Sequence, residues 1–305
     1  MLNVLSVDVE DYFHVEAFAS HIRREQWDSY PPRVERNMAL ILELFDRHRV
    51  KATFFILGWV AEKFPALAKQ IASGGHEVGC HGYAHRHLLK MTPQEFRTDI
   101  QKASGVLTGQ TGQPVRCYRA PSFSIVRQTT WALEILAEEG FVFDSSIFPV
   151  RHDLYGMPDA ERFPHWLNAV FEFPPSTIRR WNHNVGIGGG GYLRFMPYGL
   201  THWGLQHINE VDKQPAMVYF HPWEIDPGQP RIQARFRSRL RHYTNLATME
   251  DKITRLLRNF RFSTLSAACM EHRAYLAAPA RSVAAAAGQM QQIAALAKSA
   301  GSTRP

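Results

Sequence analysis

The chain has 305 residues, of which 45% are hydrophobic and 21% charged, and carries a formal net charge of +7. That length supports a full core, as one large domain or two ordinary ones, and that composition excludes a disordered or fibrous chain. The positive charge favours acidic surroundings, but it is spread along the chain, so nucleic acid is not an expected partner.

Leu2 to Val9 alternates and is rich in Val and Leu, which reads as a buried strand; it runs into Asp8-Val9-Glu10-Asp11, three carboxylates at its end. Residues 12–32 show no clear period. Pro31-Pro32 then precedes a helix with an apolar stripe at Val34, Met38, Ile41, Leu42 and Phe45. Lys51 to Leu57 reads as a continuous apolar strand, Glu62 to Ser73 as a second helix, and Gly74-Gly75 as its end. A short strand follows and delivers His81 and His85. Thr92 and Pro93 form an N-cap and first position for a helix to about Leu107. Val115 to Tyr118 is a strand ending in Arg119-Ala120-Pro121. A helix over about Thr130–Glu139, stopped by Gly140, leads to a strand, Phe141 to Phe143, that ends at Asp144.

From about 150 to 215 the pattern loosens. Phe171 to Pro175 reads as a short strand, and Gly188 to Gly191 as a mobile loop beside a cleft, lacking the context of a phosphate loop. Ala216 to Phe220 is a clear strand delivering His221-Pro222-Trp223. Residues 231–241 carry five arginines, read as a solvated surface or an anionic-ligand contact. Ile253, Leu256, Leu257 and Phe260 mark a last amphipathic helix, and Phe262 to Leu265 a last strand. Residues 277–305, rich in Ala, Gly, Ser and Gln, read as a disordered tail.

Repeated strand–helix alternation implies an α/β fold with a parallel sheet, open or closed into a barrel. Asp8, Glu10, Asp11, His81, His85, Arg119 and Asp144 all fall at or just past the C-terminal end of a predicted strand. In parallel α/β folds that rim is the functional face.

Cys80, Cys117 and Cys269 are far apart and odd in number, which argues against a disulfide framework and fits a reducing compartment. No apolar run reaches the length of a transmembrane helix. Met1 to Val9 lacks a positive n-region and meets Asp8 at once, so it reads as a first core strand rather than a signal peptide, and a cytoplasmic address is expected.

His81 and His85, four residues apart, reach one metal if the segment turns like a helix, and two histidines with one carboxylate and an open position make a usual hydrolytic zinc site. A second carboxylate takes a proton from water, and a histidine opposite protonates the leaving group. Asp8 suits the base and His221 the acid. Arg119 beside Asp8 favours its ionised form, and a backbone N–H in the loop after Arg119 is placed to help hold an oxyanion. These parts describe amide or ester hydrolysis. Cys80 beside His81 reads as a small apolar filler rather than a thiolate.

The ordered motifs resemble the polysaccharide deacetylase family, the NodB homology domain. Ser6-Val7-Asp8 with the following acids resembles its Thr-Phe-Asp-Asp stretch, and His81-Gly82-Tyr83-Ala84-His85 its His-Ser-x-x-His. Arg119-Ala120-Pro121 resembles its Arg-x-Pro, and Tyr219-Phe220-His221 its Leu-x-His. The resemblance covers roughly residues 1–270 and implies a distorted (β/α) barrel of about seven strands, a kind of incomplete TIM barrel. The domain is expected to span 1–276, with a subgroup-specific region over about 150–276. Ser-Val-Asp-Val-Glu-Asp-Tyr-Phe-His, with the later Gly-Gly-Gly-Gly-Tyr-Leu-Arg-Phe-Met-Pro-Tyr, resembles a subgroup found with bacterial exopolysaccharide and exosortase loci, similar in turn to the allantoinase and peptidoglycan deacetylase branch.

The implied activity is deacetylation of an N- or O-acetylated glycan, dependent on a divalent metal such as Zn2+. The expected substrate is a polysaccharide or a lipid-linked sugar, met in peripheral contact with the inner membrane face. Where the family has adjacent aspartates, Val9 intervenes here: strand alternation favours Glu10 as the carboxylate ligand, and residue type favours Asp11. Asp144 sits where the family often orients the acid histidine. Ser122 stands in place of a common aromatic. The alternatives are a small cyclic-amide hydrolase and an inactive glycan-binding module.

Overall fold

The computed structural model describes residues 1–152 and 155–277. The expected tail therefore lies, from residue 278 on, outside the described residues. In chain order the first half comprises β1 (Asn3–Val9), α1 (Val34–Arg47), β2 (Thr53–Ile56), α2 (Gly58–Lys63), α3 (Pro65–Ser73), β3 (Glu77–Cys80), α4 (Pro93–Thr111), β4 (Cys117–Tyr118), α5 (Trp131–Glu138) and β5 (Phe143–Asp144). The second half comprises β6 (His165–Leu167), β7 (Val170–Glu172), β8 (Thr177–Arg180), β9 (His183–Gly186), α6 (Gly190–Phe195), α7 (Tyr198–Glu210), β10 (Met217–Phe220), α8 (Phe236–Tyr243), α9 (Met249–Asn259), β11 (Phe262–Ser263), α10 (Leu265–Met270) and α11 (Arg273–Leu276).

The strands assemble in the order β10-β1-β2-β3-β4-β5-β7-β6, with β11 added beside β1. All pairs are parallel except β6–β7. The expected α/β half-barrel is present, with nine strands in its sheet rather than about seven, because an antiparallel edge strand and the short β11 extend it. The sheet does not close by pairing β7 to β10. A strap over Ser176–Gly189 runs beside β10 instead: Met217 N donates to Ser176 Oγ (2.6 Å) and Tyr219 N to the Gly188 carbonyl (2.8 Å).

Strand alternation sorts the core into two layers. Leu5, Val7, Val9, Phe54, Ile56, Val218 and Phe220 face outward and pack under the helices. Val4, Phe55, Cys117, Phe143, Phe171 and Met217 face inward and fill the barrel, closed below by Leu265, Ala268 and Cys269 of α10. Thr53 and Glu77 dock that helix: Leu265 N donates to Thr53 Oγ1 (2.7 Å) and Ser266 N to Glu77 Oε2 (3.2 Å). All three cysteines are free and buried.

Local signals explain most boundaries. Thr92 and Glu95 form a reciprocal capping box for α4, which runs one turn past the expected Leu107. The single helix expected over 62–73 is two, because Pro65 lacks an N–H and opens a new first turn. The four-glycine run, expected as a mobile loop, is a packed segment. A Cβ at Gly188 would lie 2.2 Å from the Met217 carbonyl oxygen, and one at Gly189 2.1 Å from the Tyr219 ring. Only glycine lets this backbone lie so close to β10.

Gly79 has the same logic inside the barrel, where its missing side chain makes room for Phe55, 2.6 Å from an added Cβ, with the Cys117 carbonyl oxygen at 3.2 Å. Gly79→Ala is therefore expected to lower stability by roughly 1–3 kcal/mol through overpacking, read as a fall in the urea midpoint with the m-value unchanged.

Candidate active site

The inward alternation of β1 lifts Ser6, Asp8 and then Glu10 up one face of the barrel. Asp8 is buried and accepts from Arg119 Nη1 at 2.6 Å. Arg119, fully buried after β4, places all five of its N–H donors: Nε on the Ser145 carbonyl, Nη1 on Ser6 Oγ and Asp8, and Nη2 on Ser145 Oγ and Met217 Sδ. Its carbonyl oxygen accepts from His81 Nδ1 at 2.8 Å, which leaves His81 Nε2 buried and without a hydrogen-bond partner. Burial, with His85 nearby, pulls the His81 pKa down to about 4, keeping the imidazole neutral.

Glu10, His81 and His85 come together with their nearest ligand atoms all within 4.8 Å of one another. Glu10 Oε2 is 2.8 Å from His85 Nε2, yet accepts no hydrogen bond in good geometry. Burial alone would raise the Glu10 pKa, but His85, His221 and His81 hold it well below the usual carboxylate range. Two unpartnered ligand atoms converge on one point, and a main-chain oxygen fixes the tautomer of one histidine. This set fits a divalent cation with an open coordination position.

Asp11 is not part of this cluster. Its carboxylate turns the other way and caps α1, accepting from Arg33 N (2.6 Å), Val34 N (3.0 Å) and Tyr12 N (3.0 Å). Those orphan amide groups of the helix N-terminus are what the side chain satisfies. Burial raises its pKa to about 6.

On the opposite wall, His221 Nε2 lies 3.6 Å from Glu10 and 3.9 Å from Asp8. Its Nδ1 contacts Glu224 Oε2 at 2.9 Å, and its main-chain N donates to the same oxygen at 3.0 Å. Burial works against protonation, but Glu224, Glu10 and Asp8 raise the imidazole to about 9, so it is charged at neutral pH. Burial likewise opposes the Glu224 charge, and Arg194 and His221 bring its pKa down to about 2. Arg194 Nε donates to Glu224 Oε1 at 2.6 Å, while its Nη1 donates to the carbonyls of Arg241 and His242.

Glu224, not Asp144, thus orients His221. Asp144 faces the outer side of the sheet, opposite Glu172 across β5–β7, and accepts from Ser146 Oγ at 2.6 Å. Burial pushes both acids of that pair up, and their mutual repulsion drives Glu172 further. Sequence reasoning missed Glu224 and Arg194. The signal for Glu224 was its i+3 spacing from His221 across Pro222, a capping-box pattern.

These groups open into a cleft of about 480 Å3. Aromatic walls come from Phe123, Tyr155, Tyr192, Tyr219 and Trp223. They supply apolar faces where the residue after Arg-x-Pro is Ser122. Trp223 stacks on His221 (5.0 Å between centroids) and donates to Glu10 Oε1 at 3.3 Å. Ser122 and Phe123 sit in the left-handed region (φ 56° and 50°), so the loop after Arg119 is a tight turn at the cleft.

The fold is that of a NodB-type half-barrel. Residues 26–140 match the polysaccharide deacetylase family, and residues 145–270 a domain of unknown function, DUF3473. The chain therefore carries a polysaccharide deacetylase domain. It is 42% identical over 95 residues to the peptidoglycan-N-acetylglucosamine deacetylase of Bacillus cereus, covering 31% of this chain and 34% of that protein. It is 33% identical over 107 residues to the peptidoglycan deacetylase of Helicobacter pylori, covering 35% and 36%. The chain spans about a third of the length of these relatives. A crystal structure from Mycobacterium smegmatis, provisionally assigned as a polysaccharide deacetylase, shares the fold: TM-score 0.59, 19% identity, 91% of this chain and 92% of that one.

Glu10→Gln is expected to abolish stoichiometric zinc or cobalt binding in a metal titration. Asp11→Ala keeps the metal and instead loses about 1–2 kcal/mol of stability with its cap. The buried acid pair has folded pKa values above the unfolded carboxylate range of about 4. Its contribution to stability is therefore full below that range and lost as pH rises. Glu172→Gln removes this penalty, so its stability relative to wild type is expected to rise with pH between acid and neutral conditions, measured by urea unfolding at a series of pH values.

Proposed function

We propose that the chain is a metal-dependent hydrolase that removes acetyl groups from an acetylated glycan. The observation that carries this reading is the Glu10–His81–His85 set flanked by two differently tuned groups: Asp8 held by Arg119 on one side, and His221 held by Glu224 on the other.

Two imidazoles and one carboxylate are the donors of an open zinc site, and zinc is the ion we assign. When bound, it would supply Lewis acidity toward the acyl oxygen and toward water. Asp8, kept from rotating by Arg119, accepts the proton of the attacking water. In the tight turn beside the cleft the N–H groups of Phe123 and Ser124 are bonded to the Ala120 and Pro121 carbonyls, which makes the main-chain N–H of Ser122 the candidate to hold the developing oxyanion. His221, charged and fixed at Nδ1 by Glu224, aims Nε2 into the cleft and hands its proton to the leaving amine or alcohol. The aromatic walls suit the apolar faces of sugar rings.

The relatives named as peptidoglycan deacetylases support a glycan substrate. The subgroup resemblance carried by Gly188–Tyr198 supports a place in exopolysaccharide assembly. Among the described residues no helix is long and apolar enough to cross a membrane.

The test pairs metal content with acetate release from N-acetylglucosamine oligomers. Wild type is expected to hold one metal per chain and to release acetate. His81→Ala should lose both, and Asp8→Asn should keep the metal and lose roughly 10²–10⁴-fold in kcat. Glu224→Gln should lower kcat with little change in KM, since Glu224 is fully buried behind His221 and does not line the cleft. Metal without acetate release from any acetylated sugar would reject the substrate class, and absence of metal after zinc loading would reject the mechanism.

A further inference from the structure

Helix α8 forms part of the cleft wall and also an outward surface. Ser238, Arg241 and His242 line the cleft. His242 is buried and accepts or donates at Nε2 with Gln229 (2.7 Å), and Arg194 ties the Arg241 and His242 carbonyls to α6, so the inner face of α8 is fixed. Phe236 and Leu240, one turn apart, are on the opposite face. They are 75% and 54% exposed. Successive residues of a helix are about 100° apart, which puts these two on one ridge. Arg235, Arg237 and Arg239 are exposed around that ridge and have no acidic partner among the described residues. On adjoining α6, Phe195 is also exposed and reaches the same cleft mouth.

We propose that this face of α8 docks on an anionic lipid surface, with Phe236 and Leu240 entering the headgroup boundary and the arginines contacting lipid phosphates. An apolar ridge flanked by unpaired arginines is the chemistry of an interfacial helix. Each basic side chain near an anionic leaflet adds attraction that salt screens. A second copy of the chain fits less well, because a two-fold contact would set the same arginines against each other. Soluble polyanions account for the arginines but not for the apolar ridge. Docking through α8 brings the cleft mouth to the membrane and fits a lipid-anchored glycan as substrate. That last step rests on the proposed deacetylase reading, whereas the docking itself does not.

The test is cosedimentation of the full chain with vesicles of phosphatidylcholine alone and of phosphatidylcholine mixed with phosphatidylglycerol, at low and high salt. Binding is expected only to the mixed vesicles and should weaken with salt. The double variants Phe236→Ser/Leu240→Ser and Arg237→Gln/Arg239→Gln should each lose at least about tenfold in affinity. Their thermal unfolding and their acetate release from a soluble oligomer should stay unchanged, because these side chains are exposed and outside the cleft. Equal binding to neutral and anionic vesicles, no binding at all, or binding indifferent to both variants would overturn the proposal. Retention by Phe236→Ser/Leu240→Ser of full affinity, together with competition by a soluble polyanion, would overturn it in favour of a polymer-binding surface. Failure of acetate release in wild type with vesicle binding intact would reject the activity and leave the docking standing.

Discussion

The site depends on one buried ion pair. Arg119 sits inside the barrel with no exposure, and a guanidinium there is tolerable only because every donor is satisfied and Asp8 supplies the opposite charge. The pair is also a positioning device. The side chain of Arg119 fixes Asp8 while its carbonyl fixes the ring of His81, so two functional groups on different strands take their geometry from one residue. Removing the guanidinium would leave a buried, unpaired carboxylate, a loss of about 3–5 kcal/mol in comparable settings. The inward Phe55 stacks under the guanidinium at 4.3 Å, and Gly79 makes room for that ring, so the packing of the barrel interior leads directly to the chemistry above it.

The second half of the chain completes this centre. The region matching a domain of unknown function contributes β10, His221, Glu224 and Arg194. Arg194 is delivered by the helix that begins at the glycine run, and that run can lie on β10 only because it lacks side chains. A chain of hydrogen bonds then leads from Arg194 through Glu224 to His221. His221 is therefore held from the second half, while the Glu10–His81–His85 set comes from the first, and both line the cleft.

The acidic residues show how burial and partners separate similar side chains. Asp8 is paired with a guanidinium, Glu10 faces imidazoles, Asp11 caps a helix, Asp144 and Glu172 lie buried opposite each other on neighbouring strands, and Glu224 bridges a guanidinium and an imidazole. Burial raises the pKa of every shifted member of this set; only Glu10 and Glu224, which face cationic or protonatable partners, end below the usual value.

The sequence by itself determined the strand–helix alternation, the rim on which Asp8, His81, His85, Arg119 and His221 lie, and the four ordered motifs, because hydrophobic period and motif spacing are local properties. It also carried the alternation that sets Asp8 and Glu10 on one face. It left Glu10 and Asp11 unseparated, since the deciding fact is that the N-terminus of α1, more than twenty residues later, offers amide groups to Asp11. Asp144 has the right place in the chain and the wrong face of the strand. Glu224 and Arg194 act through contacts 3 and 30 residues apart, and the longer of these exists only once β10, α6 and the turn after His221 have packed. Tertiary structure decided those roles because a carboxylate takes its function from its partners, and partners distant in sequence meet only in the folded barrel.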